Sequence, residues 1–504
     1  MAPRPLAWVA LPLILLATSV PRTAPSTTID GAPAGIRDRQ PGVGHAKNTG
    51  GTGPGFVLLD SETVDGGSGA DDESRGIAVD AEGNVWVTGY VSVPGHGRDI
   101  WLAKYDPDLG YLDSTTVNGE ANGDDEGYLM AFDHDGSAYL VGYMTVAGHD
   151  HDIWIGKFDA DLVLVKSITI NGSESGTDDG YGILYDEPTG LIYAAGTLRE
   201  TGQGSNAWIA SFNTDLVVQD TITLNGPIDN TDKARFMAFD DARHLFASGS
   251  VTRAVTDYDI WIGKFEADLT FIDEVIVPGP STDEDKGYGI VFGGAGTLFV
   301  TGTEIEPPES YNIWLAAFDT DLDLLDEATI NGPVDGEDVA YLMTMDGVGR
   351  LYHTGVYTEA DGGSNIWLAS FDSDLALQSW TTVDGPAGAY DTGMGVATGP
   401  NADLYVSAVV SDPDHGFDIW IGHFAVPTLF VDGLESGGTG RWTVATAGAT
   451  RVSAAAARTG AWGLEVDVSP PCGPAHDVLL RDMTIAGPLQ VASCATIAVA
   501  EWIS

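Results

Sequence analysis

Residues 99–105 read DIWLAKY, and six close copies of this heptapeptide, here called the Trp phrase, follow at nearly constant spacing. The seven copies begin at residues 99, 152, 206, 259, 312, 365 and 418, so the intervals are 53, 54, 53, 53, 53 and 53 residues. A fixed period of this size is typical of a supersecondary unit that buries its faces by stacking against its own copies. The period therefore predicts one repeat domain across most of the chain.

Each repeat reads as four short strands. In the first repeat an apolar run at 76–79 is followed by a β-branched and aromatic run at 85–90, the Trp phrase and a last run at 112–117. Turn residues separate the runs, and none of the runs has the 3.6-residue period of a helix. Four antiparallel strands in about 50 residues is the pattern of a β-propeller blade.

The strand count predicts how the ring closes. The first-strand pattern and the Trp phrase each occur seven times, but the chain leaves the repeat after Phe424, before a seventh outer strand. A copy of the outer-strand pattern lies instead at residues 56–66. We expect this segment to form the outer strand of the last blade, which hides the two sheet edges of an open ring. The predicted fold is all-β: a seven-bladed β-propeller of four-stranded antiparallel blades, closed by an N-terminal strand, with a small C-terminal β-rich tail.

The Trp phrase also predicts how the blades pack. Trp101, Ala103 and Tyr105 point to one face of their strand, because side chains alternate across a strand. Every copy has Ala or Gly between two large aromatic residues, which predicts a socket for bulk from the neighbouring sheet. We therefore expect the seven tryptophans to lie in the core between blades and not on a ligand-stacking platform.

The chain divides into five predicted segments. They are a signal peptide at 1–19, a disordered linker at 20–54, the propeller at 55–426, a second linker at 427–441 and a small C-terminal β-rich segment at 442–504. Arg4 and the apolar stretch at 6–20 have the pattern of a cleaved export signal, with an uncleaved membrane anchor as the alternative. We expect the C-terminal segment to be an incomplete module, and we expect a secreted or cell-surface protein without a transmembrane segment once the signal is removed.

The composition is extremely acidic. The chain carries 22 basic and 74 acidic residues, a formal net charge of −52. Such a surface repels nucleic acids and anionic membranes, so the sequence excludes both as partners. The acidic residues occur in every repeat, which favours a solvated surface that keeps the protein soluble and monomeric. Cation binding and a saline environment are the alternatives.

Only two cysteines occur, Cys472 and Cys494, and both lie beyond the predicted propeller. In an exported protein this pair is a candidate disulfide, and two unpaired thiols are the alternative. Neither cysteine has neighbours at the spacing of a zinc site.

The first repeat resembles a known family. Residues 66–72 read GGSGADD and residues 76–90 read GIAVDAEGNVWVTGY, and both stretches resemble the bacterial SBBP-type seven-bladed β-propeller repeat. The resemblance implies an exported or cell-surface bacterial protein with a propeller fold, and it implies no particular enzymatic activity. Residues 430–442 resemble a junction found near the C-termini of exported bacterial proteins, and residues 477–497 resemble the opening turns of a coathanger-type stacked β module.

One aspartate per repeat, here called the aspartate column, precedes each innermost strand. Its members are Asp72, Asp125, Asp178, Asp232, Asp285, Asp338 and Asp391. A closed ring places them near one mouth of the central channel, where Ca²⁺ or another hard cation would offset the repulsion between carboxylates. The alternative is that each carboxylate accepts backbone N–H groups in its own loop.

Four basic residues near the aspartate column break the symmetry of the repeats, and we expect them to contact an anionic ligand. They are Arg75, Lys233, Arg235 and Lys286. The sequence has neither the nucleophile turn of a serine hydrolase nor the spacing of sialidase boxes. It therefore favours a binding or interaction module for an unidentified protein or glycan. The alternative is a glycan-processing hydrolase or lyase with its site at the channel mouth.

Overall fold

The computed structural model describes residues 56–426, apart from 149, 255–256, 281–283, 306–310, 335, 361–362, 401–402 and 414–415, and five short strands outside this range. Those five are β1 (Thr27–Thr28), β30 (Thr450–Ser453), β31 (Gly463–Val466), β32 (Asp477–Leu480) and β33 (Thr496–Val499). The predicted signal peptide and Cys472 and Cys494 lie outside the described residues. The C-terminal likeness to a coathanger-type module stays a prediction.

The strand that precedes the first repeat is β2 (Val57–Val64). Blade 1 consists of β3 (Glu73–Val79), β4 (Val85–Val93), β5 (Gly97–Tyr105) and β6 (Tyr111–Val117). Blade 2 consists of β7 (Glu126–Phe132), β8 (Ala138–Thr145), β9 (His151–Phe158) and β10 (Leu164–Ile170). Blade 3 consists of β11 (Asp179–Asp186), β12 (Leu191–Glu200), β13 (Gly204–Phe212) and β14 (Val218–Asn225).

Blade 4 consists of β15 (Lys233–Phe239), β16 (Leu245–Ala254), β17 (Asp257–Phe265) and β18 (Phe271–Val277). Blade 5 consists of β19 (Lys286–Phe292), β20 (Thr297–Ile305), β21 (Tyr311–Asp319) and β22 (Leu324–Ile330). Blade 6 consists of β23 (Val339–Met345), β24 (Leu351–Thr358), β25 (Ser364–Phe371) and β26 (Leu377–Val383). The last repeat contributes β27 (Thr392–Thr398), β28 (Leu404–Asp412) and β29 (Gly416–Ala425) to blade 7.

The N-terminal strand closes the ring. β2 pairs antiparallel with β29, in a register that runs from Val57 opposite Ala425 to Val64 opposite Ile419. The blade 7 sheet thus has the order β2-β29-β28-β27. This pairing confirms the seven-bladed, four-stranded antiparallel propeller and its closure by the segment at 56–66. The sequence did not predict that β1 adds to the outer edge of blade 3, parallel to β14.

Apolar side chains are buried between blades and not within single sheets. Each of the seven apolar clusters combines residues of two adjacent blades, as where Tyr193 and Ile209 of blade 3 meet Leu245 and Trp261 of blade 4. The tryptophans of the seven Trp phrases are between 0 and 7% exposed. This confirms their place in the core between blades.

The small residue of the Trp phrase has a different role from the predicted one. A Cβ added at Gly263 would lie 2.4 Å from Cζ2 of Trp261, and one at Gly422 would lie 2.1 Å from Cη2 of Trp420. At these two glycines the indole therefore folds back over the small residue of its own strand. The nearest bulk there is this indole and not, as predicted, a side chain of the neighbouring sheet.

The turn that follows each of six Trp phrases places a leucine in the left-handed region. These leucines have φ between 55° and 62° and are Leu109, Leu162, Leu216, Leu269, Leu322 and Leu375. A side chain in this region is strained by roughly 1–2 kcal/mol. All six leucines are buried. Burial of a leucine side chain contributes a similar or larger amount and offsets the strain.

Candidate functional site at the channel mouth

The innermost strands of the blades surround an axial cavity of about 360 Å³. The third residue of every innermost strand lines it: Arg75, Tyr128, Tyr181, Arg235, Tyr288, Tyr341 and Met394. Six of these seven, the four tyrosines and two arginines, are neither the small nor the aliphatic residues that a sealed channel would need. The axial cavity is a tyrosine-rich pocket with two guanidinium groups in its wall.

Arg235 lies between two pairs of tyrosine rings. Tyr128 and Tyr181 meet edge to face at 5.4 Å between ring centroids, and Tyr288 and Tyr341 do so at 5.1 Å. The Arg235 guanidinium carbon is 4.9 Å from the Tyr288 centroid and 5.8 Å from the Tyr181 centroid. Cation–π attraction to both rings holds this side chain in the cavity wall.

The first residue of each innermost strand divides the channel mouth into two charged sides. Glu73, Glu126 and Asp179 form an acidic side in blades 1 to 3. Lys233 and Lys286 form a basic side in blades 4 and 5, and blades 6 and 7 have uncharged residues at this position. Alignment of this position across the repeats would have revealed the division from the sequence.

Each carboxylate of the acidic side has a partner within the site. Arg75 lies 2.8 Å from Glu73 and 3.3 Å from Glu126, and Arg98 lies 2.7 Å from Glu126. Asp179 accepts a hydrogen bond of 3.0 Å from the Tyr181 hydroxyl. Arg75, one of the four basic residues predicted to contact a ligand, is therefore already engaged with two carboxylates.

Two cations at the basic side, Lys233 and Arg235, have no carboxylate partner of this kind. Lys233 Nζ donates to the Tyr181 hydroxyl at 3.1 Å, and Arg235 Nη1 donates to Ser250 Oγ at 3.0 Å and to the Gly287 carbonyl at 3.3 Å. Within the described part of the chain, neither has a carboxylate oxygen within 4.0 Å. Lys286, by contrast, pairs with Glu284 at 2.6 Å. Burial, with the charge of Arg235, lowers the pKa of Lys233 to about 8.

The aspartate column lies behind the mouth, fully buried between blades. Asp72 shows the arrangement: Oδ2 accepts the Gly66 N–H at 2.5 Å, Oδ1 accepts the Ser92 N–H at 2.7 Å, and the Asp72 N–H donates to the Phe417 carbonyl at 2.8 Å. Each such aspartate joins the outer and third strands of the preceding blade to the second strand of its own blade. The carboxylate therefore links adjacent blades.

The same three bonds recur in all seven copies. The glycines six residues before the aspartates donate to one carboxylate oxygen, and the N–H groups twenty residues after them, or 21 after Asp178, donate to the other. A Cβ at Gly279 would lie 2.0 Å from Asp285 Oδ2, so this position requires glycine. This geometry is that of the loop-forming alternative.

The column carboxylates do not converge on one point. Among the described residues, the one group of three carboxylates whose ligand atoms lie within 4.8 Å of one another is Asp65, Asp72 and Asp418, which includes a single member of the column. Both oxygens of Asp72 already accept backbone N–H groups. Binding of Ca²⁺ by the column stays a prediction.

Burial raises the pKa of six column carboxylates, those of Asp72, Asp125, Asp178, Asp232, Asp285 and Asp391. It raises the pKa of Asp125 and Asp232 to about 6, of Asp178 to about 7 and of Asp285 to about 8, against backbone N–H bonds that act in the opposite direction. The folded state therefore retains protons that the unfolded chain has lost.

We expect the column carboxylates to lower the free energy of unfolding by about 3 kcal/mol between about pH 6.5 and about pH 8.5, most of it from Asp285. The lowered pKa of Lys233 acts in the opposite direction and returns about 1 kcal/mol, so the net loss should be about 2 kcal/mol. A folded-state pKa above the unfolded value of 3.8 gives stability that is present at low pH and lost as the pH rises through the folded-state pKa. Urea unfolding at fixed ionic strength measures the change. His353 does not contribute to the change in this pH range. Burial lowers its pKa from 6.5 to about 3, so its effect on stability is confined to lower pH.

Asp285→Asn should remove about 2 kcal/mol of that pH-dependent loss, whatever its effect on absolute stability. Asp161→Asn, a change in an exposed turn, is the matched control and should leave the loss unchanged. An identical loss in both variants would show that the column does not titrate in this range.

Comparison with known families agrees with the architecture. The SBBP family model, described as a beta-propeller repeat, matches residues 66–90, which contain the first aspartate of the column and the first strand of blade 1. None of the curated proteins compared with the chain matches it. The described part of the chain has no helix with the length and apolar character needed to cross a membrane.

Proposed function

We propose that the protein is an exported or cell-surface binding module whose ligand is an anionic saccharide held at the channel mouth. The observation that carries this proposal is the pair Lys233 and Arg235, which has no carboxylate within 4.0 Å in the described part of the chain although acidic residues number 74 and basic residues 22. A partly desolvated cation without a carboxylate in direct contact is unfavourable. A bound anion would offset that cost.

The surroundings of Arg235 favour a sugar acid over a simple anion. Tyr181 and Tyr288 present aromatic surface on both sides of the guanidinium, and their hydroxyl groups can exchange hydrogen bonds with sugar hydroxyls. A guanidinium can donate two parallel N–H bonds to a carboxylate. The volume of about 360 Å³ lies at the lower end of ligand pockets, so we expect the axial cavity to hold a single uronic acid residue.

The net charge of −52 opposes the approach of any anion. Salt screens this long-range repulsion, with a Debye length of about 10 Å at 0.1 M, and weakens the short contacts to Lys233 and Arg235 less. We therefore expect affinity for an anionic saccharide to rise between low and moderate ionic strength, which is the reverse of the usual behaviour of a basic site.

Calorimetric titration at about pH 6 and 0.15 M salt tests the proposal. A 4-linked oligomannuronate should bind, and the neutral oligomannoside of the same length and linkage should not, since the two differ only in the carboxylate. Arg235→Gln should weaken binding by about 10- to 100-fold, as expected for the loss of a charged hydrogen bond.

Lys166→Gln is the matched control. Lys166 lies on the outer strand β10, is exposed and also has no carboxylate within 4.0 Å among the described residues. This variant should bind like the unmodified protein. Equal binding of the acidic and neutral oligomers, or equal losses in the two variants, would contradict a saccharide carboxylate site at Arg235.

A further inference from the structure

A chain of polar contacts runs from the basic side of the mouth to the acidic side. Lys233 Nζ lies 3.1 Å from the Tyr181 hydroxyl, which donates to Asp179 Oδ2 at 3.0 Å. Asp179 Oδ1 lies 3.7 Å from His151 Nδ1. The Lys233–Tyr181 contact lies at the boundary of blades 3 and 4. Lys286, the equivalent lysine of blade 5, pairs instead with Glu284. The Lys233–Tyr181 contact is therefore not repeated around the ring.

The two residues at the centre of this chain have opposite acid–base character. Burial and the charge of Arg235 lower the pKa of Lys233 to about 8, so about a tenth of its side chains are neutral amines at pH 7. Burial and the adjacent Asp179 raise the pKa of Tyr181 well above its usual value of 10, which keeps the phenol protonated. A neutral amine beside a protonated phenol is a base–acid pair.

We propose that the axial cavity cleaves 4-linked uronic acid chains by β-elimination, with Lys233 as the base, Tyr181 as the acid and Arg235 as the partner of the sugar carboxylate. This inference rests on the proposed binding of an anionic saccharide at the same site. It adds an activity to that site, and it assigns a role to each of three side chains that lie within or beside the cavity wall.

The reaction balances without a co-reactant. Lys233 Nζ takes the hydrogen on the carbon next to the carboxylate, and the electrons of that C–H bond form a double bond to the adjacent ring carbon. The glycosidic C–O bond at that adjacent carbon breaks, and the leaving oxygen replaces Asp179 Oδ2 as acceptor of the Tyr181 hydroxyl and takes its proton. The Lys233 ammonium then returns a proton to the Tyr181 phenolate. Arg235 stabilises the negative charge that develops on the carboxylate in the transition state.

The distance between base and acid selects the sugar. Because Lys233 Nζ and the Tyr181 hydroxyl are 3.1 Å apart, both approach the same face of the sugar ring. The hydrogen removed and the oxygen that leaves must then lie on one face, as they do in 4-linked glucuronate and mannuronate. They lie on opposite faces in galacturonate and guluronate, so we expect these chains to be poor substrates.

The test is incubation of the full chain with polymannuronate and with polygalacturonate, followed by the absorbance of the unsaturated product and by its mass. We expect unsaturated product from polymannuronate, at least about 10-fold less from polygalacturonate, and a rate that rises with pH through about 8 as Lys233 loses its proton.

Two variants separate catalysis from binding. Lys233→Arg keeps the positive charge but cannot lose its proton, so it should retain oligomannuronate binding at about pH 6 while the rate falls at least about 100-fold. Tyr181→Phe keeps the ring and removes the acid, and it should likewise bind oligomannuronate while the rate falls. It provides the test if Lys233→Arg does not fold. Lys166→Arg on the outer strand is the control and should leave the rate unchanged.

Binding of oligomannuronate without any unsaturated product would overturn the inference and leave the binding module intact. Absence of binding would overturn both. Product formed at the same rate by Lys233→Arg, Tyr181→Phe and the unmodified protein would show that these side chains are not the base and the acid.

Discussion

Removal of residues 56–66 should make the protein aggregate. The deletion takes away β2, which pairs with β29 along its length and forms the outer strand of blade 7. The N–H and C=O groups of β29 would then form an open edge, which is a template for pairing with other chains. The deletion also removes Phe56, which is buried in the cluster between blades 6 and 7. Its ring centroid lies 6.3 Å from that of Tyr352.

The loss of unfolding free energy should exceed that caused by any single substitution. Removing a whole strand should cost an amount close to the free energy of unfolding of a typical domain, about 5–15 kcal/mol. Size-exclusion chromatography and thermal unfolding measure it. A deletion of equal length at 36–46, in the predicted linker, is the control and should leave both unchanged. A peptide of residues 56–66 added in trans should restore part of the monomer. A soluble monomer of unaltered stability would contradict the role of this strand in closing the ring.

Trp261→Ala should lower the free energy of unfolding by about 3–5 kcal/mol, as other large-to-small changes in cores do. Trp261 is fully buried in the cluster between blades 3 and 4, and its Nε1 donates to Glu274 Oε2 at 2.8 Å. The substitution leaves both a cavity and a partly buried carboxyl group without its donor. Urea unfolding, evaluated at constant slope, gives the change.

Trp261→Phe is the informative companion variant. It retains an aromatic ring over Gly263 but removes the indole N–H, so it should lose clearly less than the alanine variant. Affinity for oligomannuronate should be unchanged in both folded variants, because Trp261 does not line the axial cavity. A loss below about 1 kcal/mol for Trp261→Ala would contradict the packing of this indole between blades.

The sequence predicted the architecture because each feature of it is repeated. One blade alone would leave several assignments open, but seven Trp phrases at a nearly constant interval determine the strand order, the blade number and the missing outer strand. The buried tryptophans follow from the same pattern. The pattern did not show that the indole covers the small residue of its own strand, since alternation gives the face of a side chain and not its rotamer.

The candidate site was predictable only in part, because it depends on where the repeats differ. Arg75, Lys233, Arg235 and Lys286 were identified as exceptions to the symmetry, but the sequence does not show which of them has a carboxylate partner. The Lys233–Tyr181 contact joins two blades through residues 52 positions apart. A bulge follows the second residue of each innermost strand, as between Ala234 and Phe236, and it displaces Arg235 and its counterparts from the regular alternation in all seven blades.

For the aspartate column, repetition in the sequence predicts the position of each residue but not the direction of its carboxylate. A carboxylate beside a channel can either face the channel or turn into its own loop. The decisive contacts are backbone N–H groups six residues before and twenty or 21 residues after each aspartate, and these contacts depend on the positions of three strands. The glycine at 279 was the available signal, because it shows that something must approach the backbone there.

The ring is sealed by the first strand of the propeller to be synthesised. Leu58 pairs with Phe424, so 424 − 58 = 366 residues must be added before the two can meet. At a translation rate of about 5–20 residues per second, β2 waits roughly 20 to 70 s for its partner. During that interval the outer strand has no native sheet to join, and the nascent chain is at its most vulnerable to wrong pairing. Late closure makes the completion of β29 the step that decides the yield of native protein.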